Sequence, residues 1–247
     1  MSNLHIIDSL LKNQSFETPA IGDSSVYDYA TAMAMVENCI VVVSDLRLDK
    51  SRIFYGHFAK ALGIEEDTIE NSIWERNILS LMTPEEQEQK YLAEIRFFNY
   101  LRRLPRHRRQ HFYLATRIKF NRIGNRIEPI NVIHRMYYIY DADCETVRYA
   151  ICIYGPELFP ISSRSIIIDS ITGKTEPLTS DVDSSILSRR ELQVLQLIER
   201  GHTSTDISRQ LNISKHTVSR HRQTILSKLQ VKNSTEACRV ARQINLL

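Results

Sequence analysis

Apolar residues recur along this chain with two different periods. Over Phe112–Asn121, Phe112, Leu114, Ile118 and Phe120 alternate with Tyr113, Arg117 and Lys119, which predicts a half-buried strand. Ile130–Tyr140 and Val147–Tyr154, rich in Ile, Val and Tyr, predict two further strands separated by the polar turn Asp141–Glu145. Ile40–Val43 and Ile53–Tyr55 are shorter runs on either side of the charged turn Asp45–Lys50. His57–Leu62 reads as a short helix ended by Gly63. Pro84 opens a longer helical pattern to about Leu104, with Tyr91, Ile95, Phe98 and Leu101 on one face. Ala30, Ala32 and Ala34 favour a helix over Tyr27–Val36, and residues 164–178 predict a hairpin turning at Thr172-Gly173-Lys174.

From Leu187 the period becomes helical throughout, and four short helices each carry a start signal. Ser188 and Glu191 have capping-box spacing ahead of a stripe of Val194, Leu195 and Ile198, and Gly201 suits a left-handed stop. Thr203 through Asp206 opens a second helix burying Ile207 and Leu211; Ser214 caps a third, Lys215 to about Leu229; Asn233 to Glu236 caps a fourth. The turn Asn212-Ile213-Ser214 is short enough for a helix-turn-helix. At 100° per residue, Val218, Ile225 and Leu229 fall on the core side of the third helix. His216, Arg220, Gln223 and Ser227 fall opposite, with Ser219 and Thr224 on the flanks. Donors and a guanidinium along one stripe suit the major groove, where Arg pairs with guanine and Gln with adenine.

Charge sharpens this division. The net charge of +3 conceals an asymmetry: residues 187–247 hold 11 Lys and Arg against 4 Asp and Glu, the preceding residues 21 against 25. A basic tail on a mildly acidic body is the signature of polyanion binding. The chain is comfortable for two modest domains, and its 43% apolar and 25% charged residues are ordinary globular composition. No run is long and apolar enough to span a bilayer, and the start, Met-Ser-Asn-Leu-His, predicts no secretory signal. Four well-separated cysteines (Cys39, Cys144, Cys152, Cys238) read as reduced thiols in a cytoplasmic protein. No Gly-rich phosphate loop, zincin His pair or nucleophile elbow is present, so an enzyme is not expected.

The segment from Leu187 through Glu191, Leu195 and Ile198 to Gly201 resembles the opening of LuxR-type DNA-binding domains. The match continues through Thr203, Ile207, Leu211, Ile213-Ser214, Thr217-Val218, His221, Ile225, Lys228-Leu229, Val231 and Asn233. The resemblance implies phosphate contacts from Thr203, Lys215, Thr217 and Lys228 and base reading by Ser219, Arg220 and Gln223, with His216 and Arg222 completing the expected DNA-binding set. Many relatives carry a basic residue where this chain has Ser219, so their base preference does not transfer. Region four of bacterial sigma factors has a similar helix-turn-helix but usually lacks the His221 pattern and the Lys-Leu-x-Val-x-Asn continuation. The implied partners are double-stranded DNA, a second copy of the chain and RNA polymerase, with no membrane.

The first 186 residues do not have the alternating order of a phosphorylated receiver domain, and Trp74 alone does not make the Trp-rich pocket of acyl-homoserine-lactone sensors. Two strands, short helices, a long helix and three long antiparallel strands resemble a PAS domain over roughly residues 27–155, the closest local match running from Ile53 through Phe58 to Leu62-Gly63. PAS domains bind small ligands or haem, or dimerise, so a small-molecule ligand is a candidate signal and a ligand-free dimerisation module is the alternative. No cofactor and no metal site are implied. His134 is expected to be a hydrogen-bonded core histidine, with haem ligation the alternative, and Cys152 a packing residue, with redox chemistry the alternative. The cluster Arg102–Arg109 is read first as a solvated helix end, and second as an auxiliary contact for phosphate or an anionic partner.

The expected fold class is α+β: a PAS-like antiparallel sheet with helices over 27–178, after an N-terminal segment 1–26, then a linker 179–186 and a four-helix LuxR-type domain 187–247. The expected function is that of a sequence-specific DNA-binding transcriptional regulator whose N-terminal domain senses a small molecule or partner and sets the dimer state; the alternatives are a ligand-free dimerisation module, a sigma-factor-like RNA polymerase subunit and an enzyme fused to a DNA-binding tail.

Overall fold

The computed structural model describes residues 3–12, 24–64, 68–70, 72–121, 129–141, 146–158, 160–178, 187–229, 231, 233–243 and 246–247. The expected linker Thr179–Ser185 and most of the turn after Asp141 lie outside the described residues. The chain divides into two compact units, residues 14–178 and residues 179–247 together with 1–13.

The first unit is an eight-stranded sheet flanked by helices. In chain order come α2 (Ser24–Val36), β1 (Ile40–Asp45), β2 (Lys50–Tyr55), α3 (His57–Ala61), β3 (Thr68–Glu70), α4 (Arg76–Leu79), α5 (Pro84–Arg103), β4 (Phe112–Phe120), β5 (Ile130–Tyr140), β6 (Val147–Pro156), β7 (Ser165–Asp169) and β8 (Thr175–Pro177). The spatial order is β3-β2-β1-β6-β5-β4-β7-β8, and every pairing is antiparallel. The predicted hairpin adds β7 and β8 beyond β4, turning at Gly173 with φ 71°. The helix α1 (Asn3–Lys12), which burial of Ile7, Leu10 and Leu11 accompanies, and the short strand β3 were not anticipated.

Both faces of the sheet are covered, which explains why β1 is a continuous apolar run rather than an alternating one. On one face Ala30 and Ala34 of α2 pack with Val41, Val43, Phe54, Tyr149 and Ile153. On the other, Phe97 and Phe98 of α5 contact the Tyr138 ring at centroid distances of 5.8 and 5.9 Å. Tyr91, Ile95, Phe98 and Leu101, the predicted stripe, are all buried, each worth about 1.5–3 kcal/mol by area. Thr83 caps α5 by accepting from Glu86 N at 3.2 Å, Pro84 occupies its first turn, and Pro105 follows its end. The β1–β2 hairpin is set by Asp45, whose Oδ1 accepts from Arg47 N and Leu48 N at 3.0 Å each, and by Asp49 in the left-handed region. The Oδ2 of Asp45 accepts from buried Arg148 at 2.9 Å.

Candidate nucleic-acid interface

The C-terminal unit is built from α6 (Arg189–Glu199), α7 (Ser204–Gln210), α8 (Lys215–Leu229) and α9 (Ser234–Gln243). All four predicted caps form with their side chains in place. Ser188 Oγ accepts from Glu191 N at 3.3 Å while Glu191 Oε2 accepts from Ser188 N at 2.6 Å. Thr203 and Asp206 make the second reciprocal box at the start of α7. Ser214 Oγ accepts from Thr217 N at 3.0 Å, and Asn233 Oδ1 from Glu236 N at 2.9 Å. Each satisfies a backbone donor that a short helix otherwise exposes.

The core is Val194, Leu195, Leu197, Ile207, Val218, Ile225, Leu229, Ala237, Val240 and Ala241. Leu197 rather than Ile198 completes the α6 stripe, and Leu211 is half-buried rather than buried, because α7 ends there. The sharp turn before α8 comes from Asn212 at φ 51°, a conformation Asn tolerates better than most residues. Arg190 ties this turn down by donating to the Leu211 carbonyl, a contact that sequence alone did not indicate. Gly201, at φ 82°, ends α6 as expected.

The third helix of this unit, α8, sorts its polar residues by what they touch. Lys215, His216, Ser219, Arg220 and Gln223 are exposed along the outer side, and Arg220 makes no side-chain bond among the described residues. Thr217 is half-buried with its hydroxyl 2.8 Å from Ser214 Oγ. The side chain of Ser227 lies outside the described residues. Three of the expected DNA contacts face inward bonds instead. Thr203 is held in its capping box. Arg222 donates to Ser204 Oγ and Ser234 Oγ at 3.0 Å each, joining α8 to the starts of α7 and α9. Lys228 Nζ lies 2.7 Å from Glu191 Oε2. Burial opposes ionisation of Glu191, but the bonds from Lys228 and Ser188 outweigh it and hold the carboxyl below its usual range.

The Arg102–Arg109 cluster is less of a free patch than its composition implies. Arg109 turns back on its own chain, donating to the carbonyls of Leu104 and Arg102 at 3.3 Å each. Arg108 stacks on Phe112 at 5.6 Å and approaches Asp169 at 3.9 Å. These bonds favour the helix-end reading.

Between α5 and the sheet lies a buried polar group. Lys90 Nζ is 3.1 Å from Glu75 Oε1 and 2.7 Å from Glu94 Oε1, and Tyr154 donates to Glu75. Burial alone would strip Lys90 of its proton; Glu75 and Glu94 prevail and hold it as an ammonium. His134 stacks on Tyr154 at 4.7 Å and is fully buried, but it is not the hydrogen-bonded histidine expected: neither ring nitrogen has a hydrogen-bond partner among the described residues. Burial, then the Lys90 charge, keeps its imidazole neutral.

Residues 185–241 match the family model of bacterial regulatory proteins, luxR family. Curated relatives include the oxygen regulatory protein NreC of Staphylococcus epidermidis, 37% identical over 30% of this chain and 34% of that protein. The NreC of Staphylococcus haemolyticus is 40% identical over 34% of this chain and 40% of its own length. The chain thus spans little more than a third of the length of these relatives. Among solved structures, a phage VqmA–DPO complex aligns over 91% of this chain and 90% of its own at 14% identity, with a TM-score of 0.28. The C-terminal segment is a LuxR-family helix-turn-helix domain.

Proposed function

We propose that this chain is a sequence-specific, dimeric DNA-binding transcription regulator in which the N-terminal α+β unit controls the DNA-binding competence of the C-terminal unit. One observation carries the reading. The outer side of α8 presents Lys215, His216, Ser219, Arg220 and Gln223 to solvent on a helix whose inner side, caps and turn are all fixed by internal bonds. A rigid helix with one free donor-rich stripe is what direct readout in the major groove requires, with Arg220 the candidate for a bidentate guanine contact. Lys215 and Thr217, at the helix start, are the candidate phosphate contacts. Thr203, Arg222 and Lys228 act first as parts of the scaffold that aims this stripe. Closed two-fold dimers match inverted half-sites, so a second copy is the expected partner, and RNA polymerase is the partner a promoter-bound regulator engages.

The N-terminal role rests on the PAS-like succession of two strands, short helices, a long helix and three long antiparallel strands. A ligand or partner there shifts the equilibrium only through different affinity for the competent and incompetent states. The test is selection from random duplex DNA by the full chain, followed by affinity measurements on the enriched site. The parent should enrich one motif and lose affinity steeply with salt. Arg220→Ala should lose about 1–3 kcal/mol on that motif and relax preference at one position. No enriched motif, or an Arg220→Ala protein with unchanged affinity and preference, overturns the reading.

A further inference from the structure

We propose that Glu94, His134 and Cys152 form a binding site for one thiophilic divalent transition-metal ion of the Zn2+ class, between α5 and the sheet. The three residues come from different elements, α5, β5 and β6, and all are buried with their donor atoms within 4.8 Å of one another. The strand register places His134 opposite Tyr154 and Met136 opposite Cys152, so His134 and Cys152 are diagonal neighbours on the face that α5 covers. His134 Nε2 stands 3.9 Å from Glu94 Oε1. Two donors about 2.1 Å from a tetrahedral ion are roughly 3.4 Å apart, so small side-chain adjustments close the set.

The independent sign of a ligand is His134 itself. A fully buried imidazole with both nitrogens lacking hydrogen bonds is costly unless something else takes a lone pair. Its ring is fixed by stacking on Tyr154, whose hydroxyl is in turn anchored on Glu75.

The charge balance fits the same ion. Glu94 shares Lys90 with Glu75, at 2.7 and 3.1 Å, so two carboxyl groups and one amine stand together in a buried place. When a divalent ion binds, the Cys152 thiol releases one proton to water, the thiolate, the Glu94 carboxylate and His134 coordinate, and no bond other than S–H is broken. The ion's two positive charges then match the two anionic ligands, thiolate and carboxylate, and Lys90 keeps its contact with Glu75. Thiolate and imidazole select against Mg2+ and Ca2+, which prefer all-oxygen sets. Three protein ligands leave a fourth position for water or an incoming small molecule, which would make this a sensing centre rather than a closed structural one.

The experiment grows the full chain in minimal medium supplemented with Co2+ or Zn2+ and measures bound metal by mass spectrometry after desalting. About one equivalent per chain is expected, and the Co2+ form should show thiolate-to-cobalt absorption in the near ultraviolet with intense four-coordinate visible bands. Cys152→Ser should abolish the charge-transfer band, and His134→Gln should lower the metal content at least fivefold. Cys39→Ser, on the opposite sheet face, and Cys238→Ser, in α9, should change neither. A folded parent chain carrying less than a tenth of an equivalent overturns the proposal whatever the variants do. So does a charge-transfer band that survives Cys152→Ser or disappears with Cys238→Ser.

Discussion

Arg222 separates scaffold from contact on the recognition helix, and replacing it tests the argument most sharply. Its guanidinium donates to Ser204 Oγ and Ser234 Oγ at 3.0 Å each, spanning the starts of the two neighbouring helices from a half-buried position. Hydrogen bonds to charged groups are worth about 1.5–3 kcal/mol each, and partial exposure puts these two at or below the low end, so Arg222→Ala should cost about 2 kcal/mol in the C-terminal unit. For a domain of this size that is a fall in Tm of roughly 10 °C. Arg222→Lys should recover little, because an ammonium lacks the fork that reaches two hydroxyls at once. The assay pairs thermal unfolding of the full chain with DNA affinity at several salt concentrations. A structural clamp lowers Tm and leaves the slope of log affinity against log salt unchanged. A phosphate contact leaves Tm alone and reduces that slope by about one. A stable Arg222→Ala protein with a shallower salt dependence, restored by Arg222→Lys, would refute the scaffold assignment.

Two further outcomes follow from the same geometry. Because Glu191 is held below the usual carboxylate range, its stabilising bonds are fully present above an unfolded-state pKa of about 4.3 and are lost as pH falls through the lower folded value. The parent should therefore lose C-terminal stability on acidification below about pH 5 more steeply than Glu191→Gln, and parallel pH–stability curves for the two proteins would contradict this. Gly56→Ala should destabilise the N-terminal unit by about 3 kcal/mol in urea unfolding, since the added Cβ would stand 2.1 Å from the Ala34 carbonyl oxygen and 2.8 Å from that of Cys39, both backbone atoms; a change under about 0.5 kcal/mol would show that α2 and the β1 entrance are not packed as described.

What the chain encodes locally was legible without coordinates. The four C-terminal helices follow from caps and an apolar period that act within a few residues, so Ser188–Glu191, Thr203–Asp206, Ser214 and Asn233 marked the helix starts. Strands β4 and β5 were legible because alternation is also a local property, and β6 because its Ile, Val and Tyr content is. Other features depend on which distant surfaces meet. Nothing near Ile40–Val43 says that α2 packs on Val41 and Val43 while Ile40 and Val42 are buried as well, and nothing near position 134 says that Glu94 and Cys152 arrive beside it. Arg220 and Arg222 make the same point at the recognition helix. Two residues apart on a 3.6-residue turn, they point to nearly opposite sides. Composition gives each the same guanidinium; only the hydroxyls of Ser204 and Ser234, brought in by neighbouring helices, decide that Arg222 braces the fold while Arg220 is left exposed.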